Sequence, residues 1–148
     1  MTDQLVPEPI SRHDSCVFLR VGQEIFRITE RRLAHLGIRT RHFTVLAVLD
    51  HGGSQSQQAL SAATRIDTST MVAAIDELST LKLVTRAKDQ TDRRRSVIAI
   101  TEAGAATLAR ANEVMGTVGD DVFADISPAD RAQLTTILAT LNAGLFDV

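Results

Sequence analysis

Residues 83–104 of this 148-residue chain, LVTRAKDQTDRRRSVIAITEAG, gather Arg86, Lys88, Arg93, Arg94 and Arg95 around the polar tetrad Asp89-Gln90-Thr91-Asp92. The pattern predicts a hairpin. Arg86 and Lys88 lie on its first arm, the tetrad forms the turn, and the second arm begins with Arg93-Arg94-Arg95 and continues as Val97, Ile98, Ala99 and Ile100. A two-stranded ribbon with a cationic tip can reach a phosphate backbone and enter a minor groove, where negative potential favours arginine. Asp92 stands two residues before Arg94, a spacing at which a carboxylate can hold a guanidinium in one geometry.

No catalytic arrangement competes with this one. Ser, His and Asp occur without a nucleophile turn, a paired-carboxylate site or a glycine-rich phosphate loop, so the expectation is a binding protein and not an enzyme. His13, His35, His42 and His51 are scattered and no cysteine pair joins them, so no metal and no other cofactor is expected. Cys16 is the only cysteine, which excludes an intramolecular disulfide. A helix N-terminus with Arg12 or Arg20 nearby would favour its thiolate and make it redox-active; the alternative is a small buried apolar side chain.

The elements that must position the hairpin come from a chain long enough for one domain, or one domain with an oligomerisation element. Hydrophobic residues make up 44% and aromatics 3%, with no Trp or Tyr, so the core is aliphatic and suits helices. No apolar run approaches the ~20 residues of a membrane span, and the N-terminus has no apolar signal core, so a soluble, cytoplasmic protein without membrane contact is expected. The formal charge of −2 is unevenly spread: +1 over residues 1–63, +2 over 64–101 and −5 over 102–148. Acidity confined to the C-terminal third is compatible with a polyanionic partner elsewhere, because fields fade over ~8–10 Å in salt.

Residues 1–11 read as a flexible or extended arm, with Pro7 and Pro9 opposing a helix. A first long helix follows to Leu36, its inner positions Val17, Phe18, Val21, Ile25, Ile28 and Leu33, with Gly37 as its stop. Thr40 caps a second helix that buries Phe43, Leu46, Val48 and Leu49 and ends at Gly52-Gly53. Ser54 or Ser56 starts a short third helix. After Thr64-Arg65-Ile66, Asp67 is the N-cap of a fourth, with Val72, Ile75, Leu78 and Leu81 inward and Thr68, Ser69 and Thr70 outward at its start. Two short helices and a brief turn suggest a helix-turn-helix, whose small hydroxyl side chains suit a major groove. Thr101-Glu102 opens a long helix to about Phe123, and Ser127-Pro128-Ala129-Asp130 opens the last, with Leu134, Ile137, Leu138 and Leu141 on one face.

Helix-turn-helix, then wing, between long terminal helices: over roughly residues 15–145 the chain resembles the MarR family of bacterial transcriptional regulators. Asp92-Arg93-Arg94, followed by Thr101-Glu102-Ala103-Gly104, is similar to that family's DxR wing motif leading into an LT-x-x-G helix start. Leu36-Gly37-Ile38, Phe43 with Val45 and Leu46, and Asp67 to Val72 add to the likeness. The resemblance implies a mainly α fold with a small β-wing, a winged helix-turn-helix flanked by long dimerisation helices. Residues 12–36 and 105–148 would form the helical dimerisation region and residues 37–104 the DNA-binding region. Each half of a homodimer would then dock on half of a pseudopalindrome in double-stranded DNA, with Arg94 in the minor groove.

The chain departs from the family at several positions. Ala73 and Ala74 stand where many relatives have Thr-Arg, and residues 67–81 contain no basic side chain. Affinity must then lean on Arg65, Lys82 and the wing. Lys82 also replaces a usual Gly, implying a left-handed lysine or a different turn. By the same resemblance, small phenolic or aromatic carboxylate effectors bind between the first two helices and the wing domain, making Arg20, Arg41 and His42 candidate anion partners beside Phe43. One branch of the family senses peroxide with a cysteine placed like Cys16, supported by tyrosines that this chain lacks. The expectation is a repressor released by a small aromatic or phenolic ligand. A thiol-based peroxide switch and a winged-helix interaction module with weak DNA affinity are the alternatives.

Overall fold

The computed structural model describes residues 4–145; positions 1–3 of the expected arm and 146–148 of the expected C-terminal region lie outside the described residues. The arm expectation needs correction within the described part. Glu8–Ser11 form a short helix, α1, entered from Pro7, and Val6 is buried. Proline is tolerated there because N–H groups of a helix's first turn have no helical partner to lose.

Helix α2, Asp14–Leu33, continues as a 3-10 turn, Ala34–Leu36, and is stopped by Gly37 at φ +74°. A left-handed residue there releases the chain toward Ile38, which is buried. Only Leu33 of the six positions expected inward is fully covered; Val17, Ile25 and Ile28 are half-buried, and Phe18 and Val21 are exposed. Toward its N-terminal half α2 is covered only in part: Val17, Phe18, Val21 and Ile25 line an open cavity with Phe123, Leu134 and Leu138.

Three helices complete the compact part: α3, Thr40–Gly52; α4, Gln57–Thr64; and α5, Thr68–Thr80. The last two start at side-chain caps, Ser56 accepting from the N–H of Ala59 and Asp67 from that of Thr70. On α3 the buried face is His42, Val45, Leu46 and Leu49, while the expected Phe43 and Val48 are half-buried at its margin. On α5, Met71, Ala74, Ile75 and Leu78 are buried, and the expected Val72 and Leu81 face outward. Each buried large aliphatic contributes about 2 kcal/mol, so the stripe at 71, 74, 75 and 78 fixes the rotation of α5.

The wing is an antiparallel pair, β1, Val84–Lys88, and β2, Ser96–Ile100, with Val84 opposite Ile100 and Arg86 opposite Ile98. Arg93–Arg95 therefore belong to the turn, not to the second strand as expected. The loop closes on itself before the strand begins: the N–H of Asp89 donates to the carbonyl of Arg95, and that of Arg95 to the carbonyl of Asp92. A further backbone bridge joins Gln55 to Ile98 on the other side of β2, at 2.7 and 3.1 Å.

Helix α6, Glu102–Val122, starts where Thr101 accepts from the N–H of Gly104 and donates to the carbonyl of Lys82. Gly104 is required by space, since a Cβ there would lie 2.1 Å from the carbonyl oxygen of Leu83. Leu108 and Ala111 carry α6 into the core. Helix α7, Pro128–Gly144, folds back with the Arg131 guanidinium 5.3 Å from the Phe123 ring. None of its residues is buried, and Ile137 is 54% exposed. No helix of the described residues is long and apolar enough to cross a membrane.

Candidate nucleic-acid interface

The turn Leu81–Leu83 reverses the chain, and β1 then runs back along α5: Arg86 in the middle of the strand donates to the Asp76 carboxylate in the middle of the helix. Beyond Arg86 the strand continues away from the Leu81–Leu83 turn, in the direction of the end of α5 that carries Thr68, Ser69 and Thr70. Arg65, three residues before α5, is at that end too, held at φ +57°. Lys82 is not. At 1.5 Å per residue it lies about 20 Å from Thr68, at the opposite end of the helix. It adopts the left-handed conformation, φ +60°, foreseen as one of two possibilities. Asp76 also engages Arg86, which does not stand as a free cation.

At the start of α5 the polar groups form one closed set. Asp67 accepts from the Ser69 hydroxyl at 2.6 Å, the Thr70 hydroxyl at 2.6 Å and the Thr70 N–H at 2.9 Å. Those hydrogen bonds, the Ser69 hydroxyl first, hold the Asp67 carboxyl far below the usual carboxylate range. Both hydroxyl protons are thus directed at Asp67, and the oxygens of Ser69 and Thr70 present lone pairs to an incoming partner. Thr68 is exposed beside them. Ala74, one of the two positions where relatives have Thr-Arg, is fully buried, and the outward pair that follows Thr70 and Met71 is Val72-Ala73.

In the wing turn, Asp92 accepts from the backbone N–H of Arg94 at 3.0 Å, and Asp89 accepts from the N–H and hydroxyl of Thr91. The two acids shape the loop. The expectation that Asp92 grips the Arg94 guanidinium is corrected: its recorded bond is to the main chain. All three arginines of the turn are exposed.

The candidate effector residues separate. Arg41 donates to both oxygens of Glu77, at 2.8 and 2.7 Å, and His42 Nε2 lies 2.5 Å from the same carboxylate. His42 is only 3% exposed and its Nδ1 accepts from the N–H of Arg39 at 3.1 Å, so the proton is on Nε2. Burial lowers the His42 pKa despite the adjacent Glu77, and the imidazole is neutral. Arg41, chiefly, lowers that of Glu77. Next to this cluster lies a cavity of about 440 Å³ lined by Arg39, His42, Asp76, Glu77 and Leu81. Arg20 is elsewhere: with Cys16 it borders a smaller groove, about 270 Å³, lined by Val6, Ile10 and Leu19. Phe43 packs at the margin of the core. Asp76 and Glu77 are the site residues that sequence reasoning missed as partners; two adjacent acids on a helix without bases were the available signal.

A model of the MarR family matches residues 36–95, the span from the 3-10 turn to the end of the wing turn. Among known proteins, the putative transcriptional regulatory protein for the hcr operon of Thauera aromatica is 30% identical over 105 residues, 71% of this chain. The chain spans 63% of that relative's length. A MarR-family transcriptional regulator from Rhodococcus sp. RHA1 superposes with a TM-score of 0.79 at 25% identity, covering 91% of this chain and 96% of that one. Bordetella bronchiseptica BpsR, a protein whose DNA binding is regulated by 6-hydroxynicotinic acid, shares the fold with a TM-score of 0.79 at 23% identity, over 93% of this chain and 98% of its own. The helix-turn-helix and two-stranded wing, residues 36–95, match the MarR family, and with its framing helices the chain has the fold of the solved MarR-family regulator.

Proposed function

We propose that the protein is a homodimeric repressor that occupies a promoter pseudopalindrome in double-stranded DNA and is released by a small aromatic or phenolic ligand. The observation that supports the reading is the pairing of Arg86 on β1 with Asp76 on α5, which runs the strand back along the helix toward Thr68, Ser69 and Thr70; Arg65, Lys88 and the turn of Arg93, Arg94 and Arg95 are assigned to the same DNA-facing end. Helix and wing tip at one end fit adjacent grooves, with hydroxyl oxygens facing base edges and arginines facing phosphate and minor groove. Lys82 has no part in this surface. The protein acts by binding and not by catalysis, in the cytoplasm with its DNA.

The dimer reading is supported by apolar surface that one chain leaves open: Phe18, Leu19 and Phe26 on α2 and Ile137, Leu138 and Leu141 on α7. Residues 12–36 and 105–148 would meet their counterparts, and residues 37–104 would read DNA.

Release is assigned to the cavity beside Arg41, His42 and Glu77. A ligand carboxylate that competes with Glu77 for these groups would loosen one tie between α5 and α3, and it would act as a switch only by favouring a spacing of the recognition helices that DNA does not accept. Regulation of BpsR by 6-hydroxynicotinic acid supports an aromatic acid as the chemical class. The motive for a protein-interaction module was the acidity of α5, and that acidity is paired: Asp76 with Arg86, Glu77 with Arg41 and His42.

The test is selection of duplexes from a random-sequence pool with the purified protein, followed by salt and ligand titrations. Expected are an inverted repeat with half-site centres about 10 base pairs apart or a multiple of that, steeply salt-dependent affinity, and release by an aromatic acid. Selection of no duplex would overturn the reading.

A further inference from the structure

We propose that Asp76 and Arg86 are positioning residues: their pairing sets the distance of the wing tip from the start of α5, and Arg86 acts through it instead of contacting phosphate. The inference rests on the DNA-binding reading above and assigns one of its cations a different task.

Arg86 lies at the centre of β1, opposite Ile98, which is buried. The root of the hairpin is secured by the burial of Val84, by the Gln55 bridge to Ile98, and by the N–H of Thr101 donating to the carbonyl of Leu83. Thr85 to Lys88 are exposed; beyond the level of Arg86 and the bridged Ile98, the hydrogen bonds of the turn are local, among Asp89, Thr91, Asp92, Arg94 and Arg95. Among the described residues, the Asp76–Arg86 pair is the side-chain bond that ties this hairpin to α5. On the next residue Glu77 binds Arg41 and His42 of α3. Adjacent carboxylates thus hold α5 to the helical core on one side and to the wing on the other, which makes the helix the common reference for both DNA-facing parts.

Both members of the pair are about half exposed, and such pairs add little to overall stability. Their loss therefore leaves the fold intact while freeing the outer part of the hairpin to swing about the level of the Ile98 bridge. A wing that samples many distances must be ordered on binding, which lowers affinity without removing any phosphate contact.

The two assignments of Arg86 predict opposite signs. As a phosphate contact, Arg86→Gln would lower the salt dependence of binding by about one charge, and Asp76→Asn would tighten binding by removing an anion near DNA. As a positioning pair, both substitutions weaken binding and the double variant is no worse than either, because each already removes the same link.

The experiment uses the full chain and a duplex selected from a random-sequence pool by the wild-type protein. Expected are a loss of roughly fivefold in affinity for Asp76→Asn, for Arg86→Gln and for the double variant alike, with an unchanged salt slope. Amide hydrogen exchange in the free protein should accelerate severalfold across residues 84–88 in both single variants and stay constant in α6. Tighter or unchanged binding by Asp76→Asn, or wing exchange that matches wild type, overturns the proposal. If the wild-type protein selects no duplex, the DNA-binding reading fails, and the exchange measurement still decides whether the pair positions the wing.

Discussion

Asp92 accepts a hydrogen bond from the backbone N–H of Arg94 at 3.0 Å, so the acid folds the turn that presents the arginine and leaves the guanidinium to other partners. Arg94→Ala is expected to weaken duplex binding about tenfold and to lower the salt slope by about 1. Asp92→Ala removes no cation; it should weaken binding less and leave the slope unchanged. Helical circular dichroism should match wild type in both. Unchanged affinity in Arg94→Ala would falsify the assigned wing contact.

Lys82 combines a left-handed backbone with a position remote from the start of α5. Glycine has no Cβ to strain there, and Lys82→Gly is expected to raise stability by about 1 kcal/mol in denaturant titrations. Duplex affinity should stay within about twofold of wild type, since the lysine is about 20 Å from Thr68 along the helix. A tenfold loss would return Lys82 to the interface.

Protonation of His42 conflicts with its environment, because Nδ1 must accept from the N–H of Arg39 and the ring is buried. Its folded pKa is lowered, so between the unfolded pKa of about 6.5 and the lower folded value the unfolded chain binds more protons. Stability from this group is therefore fully present above pH ~6.5 and declines as pH falls toward the folded pKa. Glu77 and Glu30, both lowered, add a further loss at more acid pH as they protonate. Thermal unfolding from pH 8 to 5 should show the first decline, and His42→Gln should flatten it. A profile that is flat in wild type refutes the neutral buried imidazole.

The open faces of α2 and α7 require a partner surface if the dimer reading holds. Ile137→Glu places a charge on the most exposed of the α7 positions Ile137, Leu138 and Leu141, while the core around Leu46, Ile75 and Leu78 is untouched. Sedimentation should show wild type at twice the 16.0 kDa chain mass and the variant shifted toward monomer, with reduced DNA affinity and retained helicity. A wild-type monomer that still binds DNA tightly would contradict the model.

Cys16 is a free, half-buried thiol in a groove with Val6, Ile10 and Leu19, apart from the Arg41–His42–Glu77 cluster. Cys16→Ser is expected to respond to aromatic acids like wild type, whereas Glu77→Gln should alter that response by loosening the anion's competitor. Peroxide at stoichiometric dose should leave the wild-type complex bound. If peroxide releases wild type and Cys16→Ser is blind to it, redox control replaces ligand control.

The order of helices and hairpin, and the side-chain caps at Ser56, Asp67, Thr101 and Ser127, were legible in the chain because they rest on hydrogen bonds and apolar periods spanning a few residues. The left-handed turn at Lys82 was one of two alternatives implied by the resemblance, where relatives carry Gly, and the structure selects it. The partners of the acids on α5 were not. Asp76 meets Arg86 across ten positions and Glu77 meets Arg41 across thirty-six, and many cations satisfy the same charge rule until packing selects one. Tertiary structure also decided the burial of His42, the bridge from Gln55 to Ile98 and the outward turn of Val72, since each depends on which face of an element its neighbours cover. The sequence supplied the chemical groups of the wing and the recognition helix; the return of β1 along α5, seen in the pairing of Arg86 with Asp76, is a long-range relation that only the tertiary structure decided.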